Sequence, residues 1–167
     1  FNKTYYCFLI MSILESLHDL CVSKGISVAV AESCTSGLVA SKLTLNFGSS
    51  AFFKGGVIAY QNNIKIKILA VDEQVILQYT EVSAEVVKQM AEGVRKSFLA
   101  DYSIATSGYA GPSGGTSNNP IGTVFIAISS ASGIDIERFI FLGDRQSIVN
   151  QSSEKSLSLL YDAIKKH

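Results

Sequence analysis

A chain of 167 residues fits one domain and is long enough to bury a hydrophobic core. Its 47% hydrophobic and 17% charged residues exclude a disordered chain, and its 14 basic residues cancel its 14 acidic ones. We therefore expect no nucleic acid and no membrane among its partners, because both attract strongly basic proteins. The cysteines, Cys7, Cys21 and Cys34, are odd in number and lack C-x-x-C spacing, which indicates reduced thiols in a cytoplasmic protein.

The N-terminal segment differs from the rest of the sequence. The chain does not begin with methionine, and Met11 is an alternative initiator. The apolar run over 5–11 is too short to span a bilayer. We expect residues 1–11 to be an N-terminal extension, non-native or disordered, and residues 12–167 to form the domain.

The order of helix and strand patterns predicts an α/β fold. Apolar residues at helical spacing predict a helix over 12–24, and an apolar run predicts a strand over 26–31. The next patterns predict a helix over 38–47, a strand over 55–60, a helix over 62–70 and an irregular segment or short helix over 71–80. The remaining patterns predict a helix from Ser83, a strand over 102–107, a hairpin over 121–130 and 134–142, and a last helix from Asp144. We expect a single three-layer α/β/α sandwich with a mixed sheet.

Polar side chains follow the first predicted strand directly. This turn consists of Glu32, Ser33, Cys34, Thr35, Ser36 and Gly37. Free backbone N–H groups and the positive end of the following helix dipole point at it, which suits a nucleophile or an anion. An ordinary helix cap made by Ser33 or Thr35 explains the same pattern.

The shortage of histidine limits the chemistry available to Ser33. The two histidines, His18 and His167, fall on a predicted helix surface and at the terminus, so we expect neither a Ser-His-Asp triad nor a histidine-based zinc site. No acidic cluster or phosphate-binding motif is present, and we expect no metal and no cofactor. The base for Ser33 would then be a lysine or a tyrosine.

Tyr60 and Lys65 follow the second predicted strand, which would bring them to the same sheet edge as Ser33. Lys65 and Lys67 cannot share one helix face, so we expect one to point inward and the other to be solvated. The alternative is that both are surface lysines. Cys34 is an alternative nucleophile, although no histidine is available to activate it.

A glycine-rich loop over 108–120 contains both prolines and four of the 13 glycines. Its backbone N–H groups could cradle a phosphate or a sugar, because glycine permits positive φ angles. A flexible surface loop has the same composition. Arg145 lies beside Asp144 at a helix start, where it could bind a phosphate or form a simple ion pair.

Four motifs occur in order along the chain: residues 32–37, residues 55–60, residues 108–116 with 120–124, and residues 141–145. This series resembles the CinA C-terminal domain family, including its stand-alone members, the nicotinamide mononucleotide deamidases (PncC-like). The resemblance extends from residue 12 to the end. Ser36 departs from the family pattern, which has glycine there, and Ser107 stands where the pattern has threonine.

The resemblance implies a cytoplasmic amidohydrolase that converts nicotinamide mononucleotide and water to nicotinate mononucleotide and ammonia, without a metal. Ser33 would be the nucleophile, with Lys65 and Tyr60 as its base. The residues expected to bind the substrate are Glu32, Thr35, Ser36, Gly37, Thr106, Ser107, Gly108, Gly111, Gly114, Gly115, Thr116 and Arg145. The resemblance also implies a homo-oligomer. The alternatives are a catalytically silent nucleotide-binding or interaction domain of the same fold, and an amidohydrolase that acts on another small amide.

Overall fold

The structure, a computed structural model, describes the backbone of residues 3–166 and the side chains of residues 13–166. The helices are α1 (Lys3–Lys24), α2 (Leu38–Leu43), α3 (Asn62–Leu69), α4 (Glu73–Tyr79), α5 (Ala84–Ser97) and α6 (Arg145–Lys165). The strands are β1 (Val28–Glu32), β2 (Phe53–Ile58), β3 (Tyr102–Gly108), β4 (Thr123–Ser130) and β5 (Gly133–Ile140). No helix within the described residues is both long enough and apolar enough to cross a membrane.

The strands form one mixed sheet in the order β2-β1-β3-β4-β5. β1 pairs in parallel with β2 and β3, whereas β4 runs antiparallel to both β3 and β5. Helices α1, α2 and α6 cover one face of the sheet, and α3, α4 and α5 cover the other. The predicted three-layer α/β/α sandwich is confirmed.

The side chains of β1 alternate between the two hydrophobic cores. Val28 and Val30 pack into the core beneath α1 and α6, and Ala29 and Ala31 pack into the core beneath α5. Because helices cover both faces of this strand, all five of its residues are buried. This burial explains why β1 is an uninterrupted apolar run up to Glu32.

The two largest differences from the predicted element boundaries are at α1 and α2. α1 begins at Lys3, nine residues before the predicted start, and therefore includes much of the predicted N-terminal extension. α2 ends at Leu43, where Thr44 Oγ1 donates hydrogen bonds to the carbonyls of Ala40 (3.0 Å) and Ser41 (3.2 Å). The segment over 71–80 contains α4, whose start is capped by Asp72. Residues 1, 2 and 167, and the side chain of Cys7, lie outside the described part of the chain.

A close crossing between α3 and α5 fixes the helix that carries Lys65. Gly93 of α5 lies against the backbone of Leu69, the last residue of α3. A Cβ atom added at Gly93 would stand 2.0 Å from the Leu69 carbonyl oxygen. Only glycine therefore permits this distance between the two helices.

Replacing Gly93 by alanine tests this crossing. Alanine is the better helix former by about 1 kcal/mol, so local propensity alone predicts stabilisation. We expect the reverse, a loss of about 1–3 kcal/mol in the free energy of unfolding, because the added methyl group forces the helices apart. Urea denaturation measures the change, and Lys96→Ala, at an exposed position of α5, is the control. A stabilised Gly93→Ala variant would contradict the close crossing.

Candidate functional site

The C-terminal ends of the three parallel strands meet at one edge of the sheet. Ser33 follows β1, and its backbone N–H donates to the carbonyl of Thr106 in β3 (3.0 Å). Ala59 follows β2, and its N–H donates to the carbonyl of Glu32 (2.7 Å). These bonds extend the strand pairing beyond β1 and β2, so they fix the backbone on both sides of Ser33 and just before Tyr60.

The carboxylate of Glu32 occupies the start of α2. Its Oε2 accepts hydrogen bonds from the backbone N–H groups of Gly37 (2.9 Å) and Val39 (3.1 Å), and its Oε1 accepts one from Ala40 (2.8 Å). Glu32 is only 1% exposed. The cap expected from Ser33 or Thr35 is thus supplied by Glu32, and these three donors are not free to bind an anion.

Two buried threonines extend the contacts of Glu32 into β3. Thr35 Oγ1 donates to Glu32 Oε2 (2.6 Å) and lies 2.8 Å from Thr106 Oγ1. Because the single hydroxyl proton of Thr35 points to Glu32, Thr106 is the donor in the second bond. Glu32, Thr35 and Thr106 support the turn from below, and none of them lines the cleft described next.

A cleft of about 270 Å³ opens at this edge of the sheet. It is lined by Ser33, Cys34, Tyr60, Lys65, Glu81, Val82, Gly108, Tyr109, Ala110, Gly111, Ser113 and Arg145. The structure therefore brings together Ser33, Tyr60 and Lys65, which the sequence proposes as the reacting groups. Within residues 13–166, Ser33 Oγ and Lys65 Nζ share the cleft without a direct hydrogen bond.

Lys65 is the buried member of the two lysines on α3. It is 1% exposed and its Nζ donates to Asn62 Oδ1 (3.4 Å), whereas Lys67 is exposed. Burial lowers the pKa of Lys65, and the negative charge of Glu81 and the proximity of Cys34 oppose this shift. A lysine whose pKa is lowered by desolvation can act as a base, because more of it is neutral at a given pH.

Cys34 is the other candidate nucleophile in the cleft. Its thiol is almost completely buried, and desolvation raises its pKa to about 12. A thiol with this pKa stays protonated at neutral pH and is a poor nucleophile. Ser33, which is half-buried and lines the same cleft, is the better placed of the two.

Arg145, the first residue of α6, joins two walls of the cleft. Its Nη1 donates to the carbonyl of Gly111 (2.6 Å), and its Nη2 donates to the hydroxyl of Tyr60 (3.0 Å). Asp144 instead caps α6 by accepting the N–H of Ser147 (2.8 Å), and hydrogen bonds from Ser147 lower its pKa. The sequence leaves open an ion pair between Arg145 and Asp144. In the structure Arg145 instead donates to Gly111 and Tyr60, and Asp144 accepts from Ser147.

The glycine-rich loop divides into a part that lines the cleft and a part that does not. Gly108 to Gly111 and Ser113 line it, and Gly111 has a φ of +82°, which favours glycine. Gly114, Gly115 and Thr116 are exposed and lie outside the lining. Thr116 bonds to Asn119 through backbone and side chain (2.8 and 3.0 Å). Thr116 therefore forms these hydrogen bonds within the loop.

Glu81 is a cleft residue that the sequence analysis missed. It stands between α4 and α5, and its carbonyl oxygen accepts a hydrogen bond from the Ser107 hydroxyl (2.6 Å). Ser107 therefore affects the cleft indirectly, by holding the backbone of the segment between α4 and α5 that carries Glu81. The same segment supplies Val82, and the loop supplies Tyr109 and Ser113. No local motif marks these side chains, because their positions depend on how distant segments pack.

The model of the CinA C-terminal domain family matches residues 11–164. The chain belongs to this family. It is 42% identical over 146 residues to a CinA-like protein of Fervidobacterium nodosum, covering 87% of this chain and 36% of that protein. A CinA-like protein of Desulfotalea psychrophila is 45% identical over 139 residues, covering 83% and 34%. The chain thus spans about a third of the length of these curated relatives.

Solved structures of the CinA superfamily have the same fold. A competence-damaged protein (CinA) superfamily protein of Klebsiella pneumoniae superimposes with a TM-score of 0.90 at 29% identity, covering 95% of this chain and 99% of that one. A competence/damage inducible protein of Agrobacterium tumefaciens gives a TM-score of 0.90 at 30% identity, covering 93% and 95%.

Ser36, where the resemblance leads us to expect glycine, has a left-handed backbone. Its φ is +52°, and its side chain is exposed and does not line the cleft. A residue with a Cβ atom is strained in this conformation by about 1–2 kcal/mol, whereas glycine adopts it readily. The substitution therefore strains the turn without placing an atom in the cleft.

We expect Ser36→Gly to raise the free energy of unfolding by roughly 0.5–1 kcal/mol, since relief of the backbone strain outweighs the extra entropy lost by glycine. Urea denaturation measures the change. Ser41→Gly, in the regular part of α2, should lower stability instead. Destabilisation by both substitutions would show that the left-handed turn carries no strain.

Glu32→Gln tests the support of the turn. The amide replaces a buried carboxylate that accepts four hydrogen bonds, and its NH₂ group would face N–H donors. We expect a loss of about 2 kcal/mol or more in the free energy of unfolding. Glu154→Gln is the control, because it breaks only the partly exposed ion pair with Lys42 and should cost less than about 1 kcal/mol.

Proposed function

We propose that this domain is an amidohydrolase that deamidates nicotinamide mononucleotide to nicotinate mononucleotide and releases ammonia. The observation that carries the proposal is a buried lysine of lowered pKa in the same cleft as the serine that follows β1. A serine served by a lysine base is an established arrangement for hydrolysing amides when no histidine is available. Membership of the CinA C-terminal domain family supports the same activity.

The first half of the reaction transfers the acyl group to Ser33. Its Oγ attacks the carboxamide carbon while neutral Lys65 accepts the hydroxyl proton. The negative charge develops on the carboxamide oxygen, where the backbone N–H groups of Cys34 and Thr35, which Glu32 does not bind, would stabilise it. The C–N bond then breaks, and the proton held by Lys65 passes to the leaving nitrogen, which departs as ammonia.

The second half restores the enzyme with water. Lys65 removes a proton from a water molecule, which attacks the nicotinoyl ester. The ester bond to Ser33 then breaks, and protonated Lys65 returns the proton to the leaving Oγ of Ser33, which releases nicotinate mononucleotide and restores both side chains. Tyr60 would assist both halves, because its hydroxyl accepts a hydrogen bond from Arg145 and keeps its own proton available to donate. Arg145 and the loop from Gly108 to Gly111 would hold the ribose and phosphate, which positions the amide.

An ammonia-release assay with nicotinamide mononucleotide tests the proposal. We expect Ser33→Ala to lower kcat roughly a thousandfold or more, because the nucleophile is lost. Lys65→Met should lower it roughly a hundredfold or more, because the base is lost. Since burial lowers the pKa of Lys65, the wild-type rate should rise with pH and level off below about 10.4, the value for an exposed lysine.

Two exposed residues supply matched controls. Ser41→Ala and Lys67→Met remove the same side chains outside the cleft and should leave kcat within twofold or so of the wild type. Turnover that persists in Ser33→Ala would overturn the nucleophile, and a normal rate in Lys65→Met would remove the lysine from the mechanism. A wild-type domain that binds the nucleotide without turnover would be the catalytically silent alternative. We further propose a cytoplasmic location and a homo-oligomeric state for this protein.

A further inference from the structure

Glu81 lines the cleft, and two hydrogen bonds hold the backbone of its segment in place. Its carbonyl oxygen is bound by Ser107 (2.6 Å), and Ser83 donates to the carbonyl of Thr80 (3.0 Å) while it caps α5. Thr80 itself has a φ of +68°, a conformation that a β-branched residue rarely adopts. Backbone strain of this kind persists only where the surrounding structure imposes it, so the position of Glu81 is well defined.

Glu81 forms no ion pair within residues 13–166, where the ion pair that the structure contains joins Lys42 to Glu154. Lys65 shares the cleft with Glu81 but is bonded to Asn62. Burial lowers the pKa of Lys65, and the negative charge of Glu81 opposes this shift.

A half-buried carboxylate that forms no ion pair, in a cleft whose lysine the proposed mechanism uses in its neutral form, favours a ligand that brings a positive charge. Of the other cleft side chains, cationic Arg145 suits the phosphate, and Lys65, which the proposed mechanism uses in its neutral form, suits the amide. In the proposed substrate the carboxamide is attached to a pyridinium ring, which carries a full positive charge next to the reacting carbon. Glu81 lines the same cleft of about 270 Å³ as Ser33 and Lys65, so a ring whose amide lies between those two side chains would lie close to Glu81.

We propose that Glu81 is a specificity-determining residue that contacts the ring of the substrate and selects a cationic N-substituted pyridinium over a neutral ring. This inference rests on the proposed function, because the position of the ring follows from placing the amide between Ser33 and Lys65. It goes beyond that function in assigning the choice between charged and uncharged rings to one side chain.

Binding measurements on two ligands that differ in ring charge test the inference. Nicotinamide mononucleotide and its 1,4-dihydropyridine form share the amide, ribose and phosphate, but only the first has a cationic ring. In the Ser33→Ala background, which prevents turnover, we expect the cationic ligand to bind more tightly. Adding Glu81→Gln should reduce the ratio of the two dissociation constants roughly tenfold or more, as expected for loss of a charged contact.

Glu85→Gln is the matched control. It removes the same charge from an exposed position four residues away, outside the cleft, and should leave the ratio unchanged. An unchanged ratio in Glu81→Gln, an equal fall in Glu85→Gln, or failure of both ligands to bind would overturn the inference. Thermal unfolding of Glu81→Gln confirms that the variant is folded.

The proposed function has its own readout, which is ammonia release by the wild-type protein. If binding is charge-selective and depends on Glu81 but no ammonia is released, only the proposed deamidation is contradicted. If ammonia is released but Glu81→Gln does not change the ratio of the two dissociation constants, only the role of Glu81 is contradicted.

Discussion

The buried carboxylate of Glu32 is the constraint on which the rest of the site depends. It ends β1, accepts three backbone N–H groups at the start of α2 and one threonine hydroxyl, and is almost completely inaccessible to solvent. A buried charge is tolerable only when its hydrogen bonds are satisfied, and here the helix start satisfies them while the carboxylate satisfies the helix. The turn that carries Ser33 is fixed as a result.

The site separates residues that support from residues that face the cleft. Glu32, Thr35 and Thr106 form a buried chain of hydrogen bonds below the turn, and Ser107 holds the Glu81 segment from the next strand. The side chains that line the cleft, among them Ser33 and Lys65, are the ones that can contact a ligand. Such a division is expected where reacting groups must be held in place by partners that do not themselves react.

Burial gives neighbouring side chains different chemistry. Desolvation lowers the pKa of Lys65 and raises that of Cys34, so the same environment makes the amine more available as a base and the thiol less available as a nucleophile. The two shifts are opposite because desolvation disfavours the charged form, which is the protonated amine of lysine and the deprotonated thiolate of cysteine. The burial itself follows from covering the C-terminal edge of a parallel strand pair with α3 and the segment before α5.

The sequence by itself determined the layer architecture, the order of the elements and the position of Ser33 after a buried strand, because these depend on local periodicity and turn residues. It could not tell Lys65 from Lys67, since both alternate with isoleucines and only the packing of α3 against α5 decides which is covered. It did not mark Glu32 as the cap of α2, because the capping carboxylate lies five residues before the helix cap position and reaches it through a left-handed turn. It also gave no sign of Glu81, whose place in the cleft depends on a hydrogen bond to Ser107, 26 residues away. Local patterns specify elements, whereas the contacts between elements specify which side chains meet, and those contacts exist only in the folded chain.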